Sequence, residues 1–115
     1  MPIGAERGDI LRKRRYEGVL RRSTLDEMWR PVVPLVPGDT AAGAFGLSFY
    51  VFRRGAAKIV GHTGEQSGFR SFFYLDPVTT TAVIGVLNTT NEAQAERSSR
   101  GWDELTRRAV TMVAP

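Results

Sequence analysis

The stretch FGLSFYVFRRGAAKIVGHTGEQSGFRSFFYLDPVTTTAVIGVL, residues 45–87, decides the fold. It divides into four runs, 45–52, 58–63, 69–75 and 81–87, rich in the aromatic and β-branched side chains that suit a pleated, half-buried backbone. Arg53-Arg54-Gly55-Ala56 has the length and composition of a hairpin connection. Asp76-Pro77-Val78-Thr79-Thr80 reads as a second turn, because Asp can accept from its own following amides and Pro presets φ. Strands joined by short connections pair with their chain neighbours, so the expectation is a four-stranded antiparallel meander. In the fourth run both alternating sets are apolar, Ala82, Ile84, Val86 and Val83, Leu87, which predicts a strand covered on two faces. Gly85 in its middle predicts the close approach of another element.

Working outward, Ser23 to Trp29 reads as a short helix. Ser23 stands at a capping position with Asp26 at the capping-box spacing, Leu25, Met28 and Trp29 share a face, and Pro31 ends the pattern. From 31 to 43 three prolines and two glycines predict an irregular loop with extended pieces. After Asn88-Thr89-Thr90-Asn91, residues Ala95, Trp102, Leu105, Ala109 and Met112 follow nearly helical spacing, with the helix core expected to begin near Ser98 because Gly101 and the polar run before it weaken the first turns. The fold class is therefore α+β: an antiparallel meander sheet with a short N-terminal helix and a C-terminal helix packed on it.

Composition narrows the functions available. The chain has 115 residues, no cysteine and one histidine, His62. No disulfide, iron-sulfur site or thiol nucleophile is available, and a transition-metal site would have to rest on carboxylates beside one imidazole, so neither metal nor cofactor is implied. No run reaches the roughly 18 apolar residues of a membrane span, and the first 18 residues lack the apolar middle of a secretory signal; if the chain is whole, a cytoplasmic place follows. The formal charge of +4 is localised: residues 1–22 hold seven bases against three acids, whereas residues 23–115 are neutral. Residues 1–22 thus read as a basic leader, disordered or partly helical. Its Arg12-Lys13-Arg14-Arg15 run could release counterions from a polyanion, but it is short and has no interleaved aromatics, so a nucleic-acid partner is not expected.

The chemical signal lies in Gly61-His62-Thr63-Gly64-Glu65-Gln66-Ser67-Gly68-Phe69-Arg70-Ser71. Glycines let a ligand approach the backbone, Thr63 and Ser71 bring hydroxyls, and a strand edge brings N–H donors that can hold a developing oxyanion if fixed about 3 Å away. A glycine-rich hairpin with a hydrogen-bonded histidine is the plainer reading of the same residues. The wider run GHTGEQSGFRSFFYLDPVTTTAVIGVLNTTN, with YEGVLRRSTLDEMWRP upstream, resembles the C-terminal segment of the serine beta-lactamase-like family of class C beta-lactamases, penicillin-binding DD-peptidases and related esterases. That family carries Lys-Thr-Gly or His-x-Gly on a sheet strand, then Gly-Phe, an aromatic strand ending in a Pro turn, and a strand closing in Val-x-x-x-Asn. The resemblance runs from about Arg15 to the C-terminus.

The resemblance implies that residues 23–115 are the C-terminal portion of a mixed α/β lobe and that an amide or ester acyl group is the substrate. It places His62 toward the substrate's carboxylate or carbonyl side, has Thr63 contribute a hydroxyl, and leaves Gly64 open for the substrate to lie along the strand. The backbone N–H of Glu65 becomes one oxyanion-hole donor. Relatives often have a small residue where Glu65 stands, and a carboxylate beside an oxyanion is unfavourable unless it points away.

The nucleophilic half is missing. The two lysines, Lys13 and Lys58, are preceded three places earlier by Ile10 and Gly55, so Ser-x-x-Lys is absent; Tyr-x-Asn, Ser-x-Asn and Gly-x-Ser-x-Gly are absent too. The expectation is a truncated serine hydrolase, inactive alone, that takes a small-molecule or peptide-like acyl substrate when a nucleophile-bearing domain completes it. The alternative is a non-catalytic module that binds a peptide-like carboxylate or a partner strand. An exposed cleft wall, with Trp29, Phe45, Phe49, Phe72 and Tyr74 as candidates, would favour self-association.

Overall fold

The computed structural model describes residues 19–88 and 92–115, so the Arg12–Arg15 run and most of the basic leader lie outside the described residues. The order is α1 (Arg22–Met28), β1 (Val33–Val36), β2 (Asp39–Phe45), β3 (Tyr50–Arg54), β4 (Ala57–Gln66), β5 (Phe69–Asp76), β6 (Thr81–Leu87), a 3₁₀ turn (Glu92–Gln94) and α2 (Ala95–Val113). The six strands form one antiparallel sheet in the order β1-β2-β3-β4-β5-β6.

The expected α+β meander is present, with two more strands than the sequence predicts. The 31–43 segment is a hairpin: Gly38 turns the chain at φ 81°, Val36 pairs with Asp39, and Pro34 sits in an edge strand where its missing N–H is tolerated. The 45–52 run is broken. Gly46 presses against the end of α1, where an added Cβ would stand 2.3 Å from the Met28 carbonyl oxygen, and the Leu47 amide donates to that oxygen at 2.8 Å. Ser48 takes φ 66°, so Phe45 closes β2 and Tyr50, its register partner, opens β3. Alternation alone gives no sign of this contact with a preceding helix.

The turns expected at 53–56 and 76–80 are present, whereas β4 runs on to Gln66, three residues past its expected end at Thr63. Gly55-Ala56 joins β3 to β4, and Ser67-Gly68, both at positive φ (50° and 84°), forms the two-residue loop that suits the twist of antiparallel strands. Asp76, buried, accepts the Val78 and Thr79 amides at 2.8 and 3.3 Å and so builds the β5–β6 turn.

The core lies between α2 and one sheet face. Ile59, Phe72, Tyr74, Ala109, Val113 and Ala114 are buried there, flanked by Phe52, Val83, Trp102 and Val110. Burying an aliphatic side chain such as Ile59, which is fully enclosed, stabilises by about 1.5–3 kcal/mol. The expected close approach at Gly85 is the Phe72 ring, 2.3 Å from where a Cβ would stand. That ring meets Trp102 edge-on at 5.6 Å. Burial pushes the Tyr74 phenol above its ordinary pKa, and the neighbouring Tyr50 phenol pushes it further. Arg54 fixes the end of α2 by donating from Nε to the Ala114 carbonyl at 2.7 Å. On the solvent face of α2, Arg107 and Arg108 donate to Glu104 and hold its carboxyl below the usual range.

Four expectations change. β6 is covered on one face only: Ile84 and Val86 are 74% and 66% exposed, because α2 packs on the Val83 side and β6 ends the sheet. Trp29, Phe72 and Tyr74 are buried rather than exposed. Phe72 and Tyr74 point at α2, while Trp29 packs on Phe49, and Phe49 on Phe73, seating α1 on the opposite face. Ser23 does not cap α1, which starts at Arg22; Asp26 instead accepts from Arg22 Nε at 2.9 Å. Met112 faces solvent, and Ala109 and Val113 carry the buried stripe of α2, which begins at Ala95 rather than near Ser98.

Candidate functional site

β3 and β4 have unequal lengths, and this difference creates the site. Tyr50, the first residue of β3, pairs with Gly61, so β4 runs on through Gln66 with a partner only in β5. His62, Thr63, Gly64 and Glu65 all lie on this half-paired extension. Which backbone groups face the open side follows from the turns. The two-residue Ser67-Gly68 loop makes Gln66 and Phe69 a hydrogen-bonded pair, and alternation extends this to Gly64–Ser71 and His62–Phe73. Thr63 and Glu65 therefore direct N–H and C=O away from β5. The same parity from the Gly55-Ala56 turn gives Gly61 to β3, so Thr63 and Glu65 continue the row that β3 leaves unfilled. Among the described residues, no backbone bond from outside the sheet reaches 62–66.

The side chains alternate about this edge. His62 and Gly64 share the face of Phe73, Ser71 and Ile84, whereas Thr63 and Glu65 lie on the α2 face with Phe72 and Arg70. The exposed His62 ring stacks on Tyr50 at 4.7 Å and 9°, and its Nδ1 donates to the Thr63 carbonyl oxygen. The carbonyl oxygen can only accept, so Nδ1 carries a proton. Gly64 leaves the Ser71 hydroxyl uncovered: a Cβ there would stand 3.3 Å from Oγ. Together His62, Thr63, Gly64, Ser71, Phe73 and Ile84 line most of a shallow, open depression of about 320 Å³.

Glu65 has an answer to the electrostatic objection raised by its side chain. Arg70 Nε lies 3.1 Å from Glu65 Oε2, on the α2 face and beside the edge rather than across it. The Arg70 guanidinium in turn stands over the Trp102 ring at 5.6 Å. The carboxylate is thus neutralised and drawn to one side, leaving the Glu65 amide as the group presented along the edge. Sequence reasoning did not identify Tyr50 or Arg70 as supports. Counting back from the Gly55-Ala56 and Ser67-Gly68 turns would have placed Tyr50 beside Gly61 and Arg70 opposite Glu65.

Elsewhere, no group of three His, Cys, Asp or Glu among the described residues could hold a metal ion, and no described helix is long and apolar enough to cross a membrane. No family model, curated protein or solved structure matches the chain.

Proposed function

We propose that this chain supplies the oxyanion and strand-edge half of an acyl-transfer site of the serine beta-lactamase/penicillin-binding protein/esterase kind, and that it is not catalytic by itself. The observation that carries the reading is the unfilled row on β4: the Thr63 and Glu65 amides face outward beside His62, on a strand opened by Gly64. An extended acyl substrate laid along that edge would take main-chain hydrogen bonds from Thr63 and Glu65. The Glu65 amide would meet the carbonyl oxygen as it gains charge, and such a donor contributes about 2.7–4 kcal/mol in a complete, water-excluded site. His62 and the Thr63 hydroxyl would face the substrate's carboxylate or carbonyl side, with the hydroxyl donating. No step of bond cleavage is assigned to this chain, because Ser-x-x-Lys and Tyr-x-Asn are absent from its sequence.

The test is turnover of a p-nitrophenyl ester by the purified chain, followed by intact-mass analysis for an acylated serine. No turnover and no adduct are expected; serine-dependent turnover would overturn the reading.

The half-paired strand also supports a second reading, a non-catalytic module that holds a peptide-like carboxylate or a partner strand on the same edge. In that case D-Ala-D-Ala peptides should shift the amide signals of residues 61–71. Unmoved signals on titration with those peptides and with beta-lactams would reject it.

A further inference from the structure

The sheet has another open edge, on β6, separated from the β4 extension by β5. The alternation that starts at Ser67-Gly68 continues across β5: Arg70, Phe72, Tyr74 and Asp76 bond toward β6, and their partners Leu87, Gly85, Val83 and Thr81 bond back. Ala82, Ile84 and Val86 therefore point N–H and C=O outward, and nothing among the described residues pairs with them. Open edges are commonly protected by charge or proline. β1 has Pro34 and the β4 extension has the Glu65–Arg70 pair, but β6, TAVIGVL, has seven uncharged residues and no proline.

A second exposed feature lies beside it. α2 runs in the direction of β5, from Trp102 over Phe72 to Ala114 at Arg54, and it packs over β5 and β6. Its right-handed winding turns Val110 toward the β4 side and Gly101, Leu105, Arg108 and Met112 toward the β6 edge. Leu105 and Met112 are 38% and 70% exposed, and nothing stands near a Cβ at Gly101. A helix flank with Leu105 and Met112 exposed, and with Arg108 between them paired to Glu104, thus borders the same edge as an unprotected apolar strand.

We propose that this edge is the interface of a two-fold homodimer, in which β6 pairs antiparallel with β6 of the second copy about Ile84. That register overlaps all seven residues and leaves no outward group unmatched: Ile84 faces Ile84 of the partner subunit, and Val86 faces the partner's Ala82. The exposed row Ala82, Ile84, Val86 becomes the middle of a continuous apolar band. The two-fold axis stands normal to the sheet, so both α2 helices lie on one side. With strands about 4.8 Å apart and α2 centred between β5 and β6, their axes come about 10 Å apart, the upper end of close helix packing. Trp102 sits at the level of Phe72, so Leu105, on the same flank, comes nearest the axis and faces Leu105 of the partner subunit. Of the aromatic set expected from the sequence, Trp29, Phe72 and Tyr74 are buried and take no part in this surface.

Sedimentation equilibrium of the full chain from micromolar to millimolar concentration tests the proposal, and the mass should rise from one chain to two. Ile84→Lys and Leu105→Lys, on separate elements, should each weaken the dimer roughly tenfold or more, with circular dichroism unchanged. Since the chain has no cysteine, Ile84→Cys introduces a single thiol. Facing residues of a hydrogen-bonded pair stand about 5.5 Å apart at Cα, within disulfide reach. Ile84→Cys should therefore cross-link under mild oxidation, while Val78→Cys, on an 85% exposed turn, should not. A single-chain mass at millimolar concentration, assembly beyond two copies, a dimer untouched by both lysine variants, or equal cross-linking at both positions would each overturn it.

Discussion

Gly85→Ala tests the packing on which the sheet–helix core depends. The added Cβ would stand 2.3 Å from the Cε1 and Cζ atoms of Phe72. The ring has no simple retreat: it is 4% exposed, with Tyr74 stacked at 5.6 Å and Trp102 edge-on at 5.6 Å. Overpacking a filled core costs about 1–3 kcal/mol. Replacing a strand glycine by alanine returns about 0.5–1 kcal/mol by restricting the unfolded chain, so the net loss should be about 1–2 kcal/mol. With a urea slope near 1.5 kcal/mol/M for a domain of this size, the midpoint should fall by about 1 M in an unfolding curve followed by circular dichroism. Phe72→Leu alone should also destabilise, by about 1–2 kcal/mol, but it clears the space that the alanine needs. The double variant should therefore be more stable than the sum of the two by about 1 kcal/mol. The reasoning is refuted if Gly85→Ala stays within about 0.5 kcal/mol of the parent, or if the two losses simply add.

Three further outcomes follow from single groups. Tyr74 has a folded-state pKa raised by burial and by Tyr50, so its contribution is fully present below the unfolded phenol value near 10 and is lost as pH rises through the folded value; urea midpoints should decline in that alkaline window for the parent and less steeply for Tyr74→Phe. Asp76→Ala removes the acceptor of two turn amides at a buried position and should cost about 1–3 kcal/mol, read from the same curves. Trp29 buries an indole N–H with no hydrogen-bond partner, so in Trp29→Phe the relief of that donor offsets lost contact area, and stability should stay within about 1 kcal/mol of the parent.

The sequence was legible where a local rule acted alone. The β5 and β6 runs, the Asp76 turn and the Gly85 contact follow from alternation and turn chemistry, and the structure has them at or within a residue of the expected bounds. It was opaque where a distant contact decides. Prolines at 31, 34 and 37 masked the β1–β2 hairpin because an edge strand tolerates them, and the split of 45–52 depends on Gly46 meeting α1. β6 looked buried on both faces because alternation reports hydrophobicity, and hydrophobicity does not say whether a covering layer exists. The residues of the candidate site stood together in the sequence from the outset. What could not be read there was that β3 stops at Tyr50, which leaves the Thr63 and Glu65 amides without a strand partner.

That open row is the centre of the functional account, and amide hydrogen exchange of residues 60–66, followed residue by residue by NMR, tests it most directly. Alternation predicts slow exchange at His62 and Gly64, which bond to β5, and fast exchange at Thr63 and Glu65, which face outward. Gly61, whose amide faces β3, should be slow as well. Uniform protection from His62 to Gln66 would mean that the edge is already filled, and fast exchange at His62 and Gly64 would mean that the register is wrong; either result contradicts the account.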